Sequence, residues 1–471
     1  MAPRQKLSHW IIPILVFFFL FEGFTRCARA MTTEEEKKLG RKILLEITKQ
    51  AELVNDLTVQ VFVDKIANSI LREIGSTPYE FKFYVIKAQD PNAFAIPGGY
   101  IFVTTGLIVL AENEQEIAGV LSHEISHVTG RHIDQMIERS KRLNIATLAA
   151  IVAGVLVGRG GVGTQAVATT AAAAAETLAL KYSREHETNA DQNGLYRMVK
   201  AGYDPNGMIS FLSKIQRLSL STAPQIPSYL LTHPALEDRI ALLQNLLQTG
   251  PRPTGPFKKV ENFKRVQSKA FVEEREPEVA VSHFGSRIKE NPQDVDEIYG
   301  LGLALKKMGR LDKSIEVFQN GLSLSPQDPD LLREMGIAYF LSGKMDPAIE
   351  NFDAVQSITT TGSNQDEDLW AIYYLGRGYQ EKGDFAKALP LFLKVKKELP
   401  EFIDVYHGLG SVYGRMGQKG LSHFFFAKYF KLRGDHKDAL LHFRTALDWL
   451  EKGGPERDEV QREIKELTQT K

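Results

Sequence analysis

"SHEISHVTG", residues 122–130, sets two histidines four apart with a glutamate directly after the first. From Asn113 to about Leu143 the surrounding pattern is helical, with Ile117, Val120, Leu121, Ile125 and Val128 at helix-like intervals. On such a helix, positions four apart differ by about 40° of rotation, so His123 and His127 share one face. Two neutral imidazoles so placed can bind Zn²⁺ through ring nitrogens at about 2.0–2.1 Å. Glu124, next to the first of them, falls beside the ion rather than on it. Its natural task is to take a proton from water that the metal acidifies. A closed structural site has no use for it.

A third ligand must come from elsewhere. One zinc-peptidase pattern continues H-E-x-x-H-x-x-G-x-x-H. Gly130 fits it, but Ile133 occupies the last slot and His132 stands one place early. If the helix continues through "RHIDQMIERSKRL", His132 points away from His127 and is a surface residue or a neighbour of the ligands. The alternative lies in "YSREHETNAD" (182–191), in a helix running from Leu178 to about Lys200. Glu187 and Asp191 are four apart there, on one face. Glu187 can complete a His₂Glu site, and Asp191 can accept the second N–H of a ligand imidazole and fix its tautomer.

Upstream, "MTTEEEKKLGRKILLEITKQ" (31–50) predicts a helix with acids in its first turn. "YEFKFYVIKA" (79–88) and "AFAIPGGYIFVTTGLIVL" (93–110) predict strands of a small sheet, broken at Pro97-Gly98-Gly99. The edge of the 93–107 strand is suited to hold an extended peptide through backbone hydrogen bonds. Residues 145–180 hold two apolar pieces around a Gly-Arg-Gly-Gly break. Neither reaches spanning length, so a helical hairpin is expected, packed on the body and able to touch a membrane. "LLTHPALEDRI" (230–240) puts His233 before Pro234, outside a helix. It can donate to the oxyanion of the tetrahedral intermediate, occupy the open position of zinc, or be structural. Arg239 reads as a carboxylate partner that orients this loop.

"QTGPRPTGPF" (248–257) marks a boundary. Beyond it the sequence repeats. Gly302, Gly336, Gly376 and Gly410 share one slot, Gly309, Gly343, Gly383 and Gly417 a second, and Phe318, Phe352, Phe392 and Phe426 a third. The spacings are 34, 40 and 34, the longer one holding "TTTGSNQ". A period of 34 with these slots is the tetratricopeptide pattern of stacked helical pairs. A partial repeat, 280–292, precedes the first full one, and 434–450 supplies a last helix.

The first thirty residues have Arg4 and Lys6, an apolar run from Trp10 to Phe21, and Ala28-Arg29-Ala30. That order is a secretory leader, with cleavage expected after Ala30. Cys27 is the sole cysteine, so the mature chain needs no disulfide. Lys+Arg and Asp+Glu are equal at 58 each, which argues against nucleic acid as a partner.

"NAFAIPGGYIFVTTGLI", HEISH (123–127), Ser183-Arg184-x-x-Glu187-x-x-Ala190-Asp191 and "THPALEDRI" occur in that order and resemble the HtpX-type zinc metallopeptidases, relatives of the CAAX prenyl protease. With a leader and C-terminal repeats, the resemblance is to periplasmic members of that family and covers nearly the whole mature chain. It implies one Zn²⁺ per chain on His123, His127 and Glu187, catalysis by Glu124, and Asp191 on the family's acidic position. It also implies a soluble or peripheral enzyme, because spanning helices of membrane members are replaced by the 145–180 hairpin.

The fold expected is mainly α with a small β-sheet, an α+β zincin-type peptidase domain followed by an α-solenoid of tetratricopeptide repeats. The division expected is a leader (1–30), a peptidase domain (31–250), a linker (251–279) and repeats (280–471). The function expected is a periplasmic zinc endopeptidase that degrades misfolded or stalled polypeptides, with catalytic Glu124 and His233. Its repeats would bind substrate or the machinery assembling outer-membrane barrels. The rival is a repeat-based chaperone or scaffold with a masked or structural metal site.

Overall fold

The computed structural model describes residues 31–139, 181–221, 227–250, 256–259, 262–361 and 367–469. The leader read over 1–30 and the hairpin read over 145–180 lie outside the described residues. The rest is mainly helical with a small sheet, as the sequence predicts.

Helix α1 (Thr33–Gln50) starts on a capping box between Thr32 and Glu35. Helix α2 (Leu57–Leu71) is capped by Asp56, whose carboxylate accepts from the Thr58 and Val59 N–H groups. The strands β1 (Lys82–Ile86), β2 (Ala93–Ile96) and β3 (Tyr100–Thr104) form a sheet in the order β1-β3-β2. β1 runs parallel to β3 and β2 antiparallel to it. The expected strand over 93–110 therefore ends early. Thr104 accepts the Leu107 N–H through its hydroxyl and starts a short helix, α3 (Thr105–Leu110). A Cβ at Gly106 would lie 2.1 Å from the Gln89 carbonyl oxygen, so the chain turns there against loop 88–92. β3 is central; β1 is met on its outer side by residues 52–54, through the Leu53–Ile86 bridge, and β2 is the other edge, with no strand paired beyond it among the described residues.

Helix α4 (Glu114–Thr129) carries the two histidines and is buried from Glu116 to Val128. It stops at Gly130, short of the predicted end near Leu143, and Arg131 adopts φ 54° before α5 (His132–Arg139). Helix α6 (Arg184–Lys200) lies along α4, and α7 (Asn206–Ser221), α8 (Ser228–Thr232) and α9 (Leu236–Thr249) close the unit. Ile66, Val85, Val103, Leu121 and Ile125 share its core.

Part of the stretch expected as a linker is structured. Helix α10 (Phe263–Glu274) places Phe263, Val266 and Ala270 in that same core. The Gln267 side chain donates to the carbonyls of Val109 and Ala111 at the end of α3. Helix α11 (Pro277–Glu290) then leads into paired helices. These are α12 (Val295–Lys307) with α13 (Leu311–Leu324), α14 (Pro329–Leu341) with α15 (Met345–Thr361), α16 (Leu369–Glu381) with α17 (Phe385–Glu398), and α18 (Ile403–Arg415) with α19 (Lys419–Leu432). The slots read from sequence meet in space. A Cβ on Gly302, Gly336, Gly376 or Gly410 would fall within 2.3–2.9 Å of the ring of Phe318, Phe352, Phe392 or Phe426 respectively. Gly309, Gly343, Gly383 and Gly417 turn the chain at φ 75–79°.

Gly434 repeats that turn at φ 81°, half a period after Gly417, and leads into α20 (His436–Trp449). Helix α19 thus serves two neighbouring repeats. The chain does not end with α20: α21 (Pro455–Gln469) packs on it and buries Val460.

The repeats are joined to the peptidase unit by buried charge. The Lys269 ammonium of α10, 3% exposed, is 2.6 Å from Asp56 Oδ2 and 2.6 Å from Glu334 Oε1 of α14. Farther along, Glu401 pairs with Lys82 of β1 at 3.0 Å and Glu466 approaches Arg41 of α1 at 3.8 Å.

Candidate metal centre

Helices α4 and α6 approach closely because Gly194 has no side chain: a Cβ there would sit 3.2 Å from the His123 backbone nitrogen. That approach brings Glu187 over the two histidines. The Nε2 atoms of His123 and His127 are 2.9 Å apart. Glu187 Oε1 is 3.4 Å from His127 Nε2, and its Oε2 is 3.6 Å from His123 Nε2. His233, at the C-terminal end of α8, adds Nδ1 at 3.1 Å from Glu187 Oε1 and 3.3 Å from His123 Nε2. One ligand atom from each of the four lies within 4.8 Å of all the others. Bonds of about 2.0–2.1 Å in a tetrahedron put ligand atoms about 3.3 Å apart, close to the spacings seen.

The surroundings prepare these groups. Asp191 Oδ1 is 2.8 Å from His123 Nδ1, so His123 donates from Nδ1 and keeps Nε2 for a metal. Burial, reinforced by Arg239, depresses the His123 pKa. Burial with His123 holds His127 well below its ordinary value. Both imidazoles are therefore neutral, the ligating form. Burial opposes ionisation of Glu187, yet Arg239 and His233 hold its carboxyl well below the usual range. Glu124 is fully buried, and burial raises its pKa to about 7 against the opposing effect of His233. Its Oε1 stands 3.4 Å from His233 Nε2. The Ala95 N–H of β2 faces the same carboxyl without reaching hydrogen-bond geometry.

The donor set fits zinc on two further counts. Both Glu124 oxygens, Glu187 Oε2 and His233 Nε2 are buried without hydrogen-bond partners, an expense that an ion and its water would remove. Two buried carboxylates held in the ionised form, Glu187 and Asp191, share the single guanidinium of Arg239. The negative charge left over is what a bound cation would offset.

All the residues singled out from sequence thus gather at one point. Arg239 holds Asp191 with two bonds at 2.7 Å and reaches Glu187 Oε2 at 2.8 Å without hydrogen-bond alignment. It is a carboxylate partner, and its carboxylates are those of α6. His132 does not point away. The break at Gly130 and Arg131 turns it back until its Nδ1 is 3.1 Å from His127 Nδ1. Two tyrosines escaped sequence reasoning: Tyr182 stacks on His127 at 3.8 Å and Tyr229 on His233 at 4.6 Å. Only the adjacency of Tyr182 to the "SREHE" stretch hinted at one of them.

Comparison with known proteins agrees with this geometry. Residues 57–247 match peptidase family M48, and residues 302–343 match a TPR repeat. The beta-barrel assembly-enhancing protease of Yersinia pestis is 28% identical over 233 residues, 49% of this chain and 48% of that protein. Its Escherichia coli counterpart is 28% identical over 224 residues, 47% of this chain and 45% of that one. The mitochondrial metalloendopeptidase OMA1 of Schizosaccharomyces pombe is 24% identical over 258 residues, 52% of this chain and 74% of that one. The chain spans about half the length of the beta-barrel assembly-enhancing proteases it matches. The four-residue zinc-type donor set thus lies inside a segment that matches the M48 peptidases, and the glycine–phenylalanine pairs lie beyond it, in and around the segment that matches a TPR repeat.

Proposed function

We propose that this chain is a zinc-dependent endopeptidase of the cell envelope. It degrades misfolded or stalled polypeptides, outer-membrane proteins among them, and its repeats hold substrate or the machinery that assembles outer-membrane barrels. The observation that carries the hydrolytic part is the convergence of His123, His127 and Glu187 from two helices, with the unpartnered carboxyl of Glu124 beside them.

A zinc ion held by those residues would acidify a water molecule and polarise a peptide carbonyl. Glu124 would take a proton from the attacking water and pass it to the amide nitrogen as the C–N bond breaks. A pKa of about 7 suits both transfers. Asp191 keeps His123 in the ligating tautomer. A substrate strand paired to the edge of β2 would run past Glu124, and pairing through the main chain is blind to sequence.

His233 is best read as a cap. Its Nδ1 shares the ligand cluster, so it fills the fourth place until substrate displaces it. The same observation favours the second reading, a repeat-based chaperone or scaffold with a masked metal site. The periplasmic setting rests on a leader cleaved after Ala30 and on the relatives' names. The division into 1–30, 31–250, 251–279 and 280–471 belongs to this proposal, as does membrane contact through 145–180. No described helix is long and apolar enough to cross a membrane.

Metal analysis of purified protein, paired with a casein digest with and without chelator, tests the reading. One zinc per chain and chelator-sensitive cleavage are expected. Zinc retained without cleavage, in wild type and in His233→Ala alike, would leave the scaffold.

A further inference from the structure

The segment that carries His233 is gripped at its far end by a residue outside the metal centre. Ser228, the first residue of α8 and 3% exposed, gives its backbone N–H to Asp90 Oδ2 at 2.9 Å. From Ser228 to His233 the chain is a short rigid rod. The His233 N–H closes on the Tyr229 carbonyl at 2.9 Å, and the Tyr229 ring stacks on the imidazole. What fixes Ser228 therefore fixes His233. Near its other end the Tyr182 N–H donates to the Thr232 carbonyl at 3.1 Å, and the His233 ring meets Glu187 and His123.

Asp90 is itself held. Its carbonyl accepts the Thr104 hydroxyl at 2.9 Å, and the Asn92 N–H donates to that same hydroxyl at 2.9 Å. Its neighbour Gln89 spans to the connector: the Gln89 amide donates to the Glu274 carbonyl at 3.1 Å and accepts from Arg275 at 2.9 Å. Loop 88–92 thus touches the β3–α3 corner, the end of α10 where the repeats begin, and the rod bearing His233.

We propose that Asp90 is the latch of the metal centre. It is a positioning residue that, through Ser228, keeps His233 in the fourth ligand place, and Gln89 ties that latch to the connector leading into the repeats. This rests on the reading of His233 as a cap. A carboxylate acceptor makes a hydrogen bond about twice as strong as a neutral one. Exchanging it for an amide shifts the balance between seated and released His233 by about tenfold. While the seated state dominates, the open fraction and the cleavage rate at substrate concentrations well below KM rise by the same factor.

The test compares full-length, zinc-loaded chains on casein: wild type, Asp90→Asn, Asp90→Glu, Ser228→Pro, His233→Ala and the Asp90→Asn/His233→Ala pair. Ser228→Pro deletes the donor while the Asp90 charge stays. Proline suits the first position of a helix, and Pro227 before it already has the extended φ −52°, ψ 137° that a following proline demands. Asp90→Asn and Ser228→Pro should each raise kcat/KM by about tenfold, through a lower KM with kcat unchanged and one zinc per chain, and Asp90→Glu should stay near wild type. In the His233→Ala background, Asp90→Asn should add nothing. Should His233→Ala be faster while both latch variants match wild type, the latch is wrong and the cap stands. Should Asp90→Asn accelerate cleavage equally without His233, it acts elsewhere and the latch is again wrong. A slower His233→Ala would remove the cap itself, and the latch with it.

Discussion

Asp191 Oδ1 stands 2.8 Å from His123 Nδ1, while Arg239 grips the same carboxylate with two bonds at 2.7 Å. A carboxylate fixed on one side by a buried guanidinium has one orientation to offer the imidazole on the other, so it sets the tautomer of the ligand. Asp191→Asn keeps the shape but gives up the charge that pairs with both. Zinc affinity should fall by about 10- to 100-fold, read by competition with a chromophoric chelator. Unchanged affinity would mean that Glu187 and the two histidines hold the metal without this support.

Glu124 has no partner for either oxygen, so its removal breaks no bond of the fold. Glu124→Gln should lower casein cleavage by at least about 10²- to 10⁴-fold with zinc content and thermal stability near wild type. Proteolysis surviving in that variant would remove Glu124 as the base.

His233 decides between a capped enzyme and one that uses this imidazole in the reaction. As a cap, its loss should raise cleavage in His233→Ala. As an oxyanion donor, its loss should cost about 10²- to 10³-fold. Initial rates on casein, normalised to bound zinc, separate the two by sign.

Burial would raise the Glu334 pKa, yet Lys269, Lys306 and Arg333 hold it far below the ordinary carboxylate range. A depressed pKa stabilises the fold above the unfolded value of about 4.3. That contribution is lost as pH falls below it. Thermal unfolding followed from pH 7 to pH 3 should show a steep decline below pH 4.5, and Glu334→Gln, less stable at pH 7, should show a shallower one. At neutral pH, Lys269→Met should cost about 3–5 kcal/mol, because Asp56 and Glu334 lose a shared buried counter-charge.

Much of this architecture was legible because its signals are local or periodic. The glycine and phenylalanine slots recur along the chain, and their meeting at Gly302–Phe318 and Gly336–Phe352 follows from one repeated geometry. The candidate site residues showed because spacing by four puts His123 with His127, and Glu187 with Asp191, on single helix faces. What failed to show depends on single dihedral angles or distant partners. One positive φ at Arg131 turns His132 back onto His127. Thr104 and Gly106 convert an apolar strand pattern into α3 through contacts with loop 88–92. Helix α10 hid in a stretch following a Pro- and Gly-rich boundary, because what holds it is Gln267 and Lys269 reaching residues more than 150 positions upstream.

The ammonium at position 269 makes the two halves of this molecule unsuited to separate lives. A protease trimmed before α10 would face solvent with an apolar groove and an uncompensated aspartate at the start of α2. Repeats expressed alone would keep a lysine whose peptidase counter-ion had been left behind. Truncation therefore yields a damaged surface rather than a minimal enzyme, and any grafting of foreign repeats onto this catalytic unit must bring a replacement for that one cation.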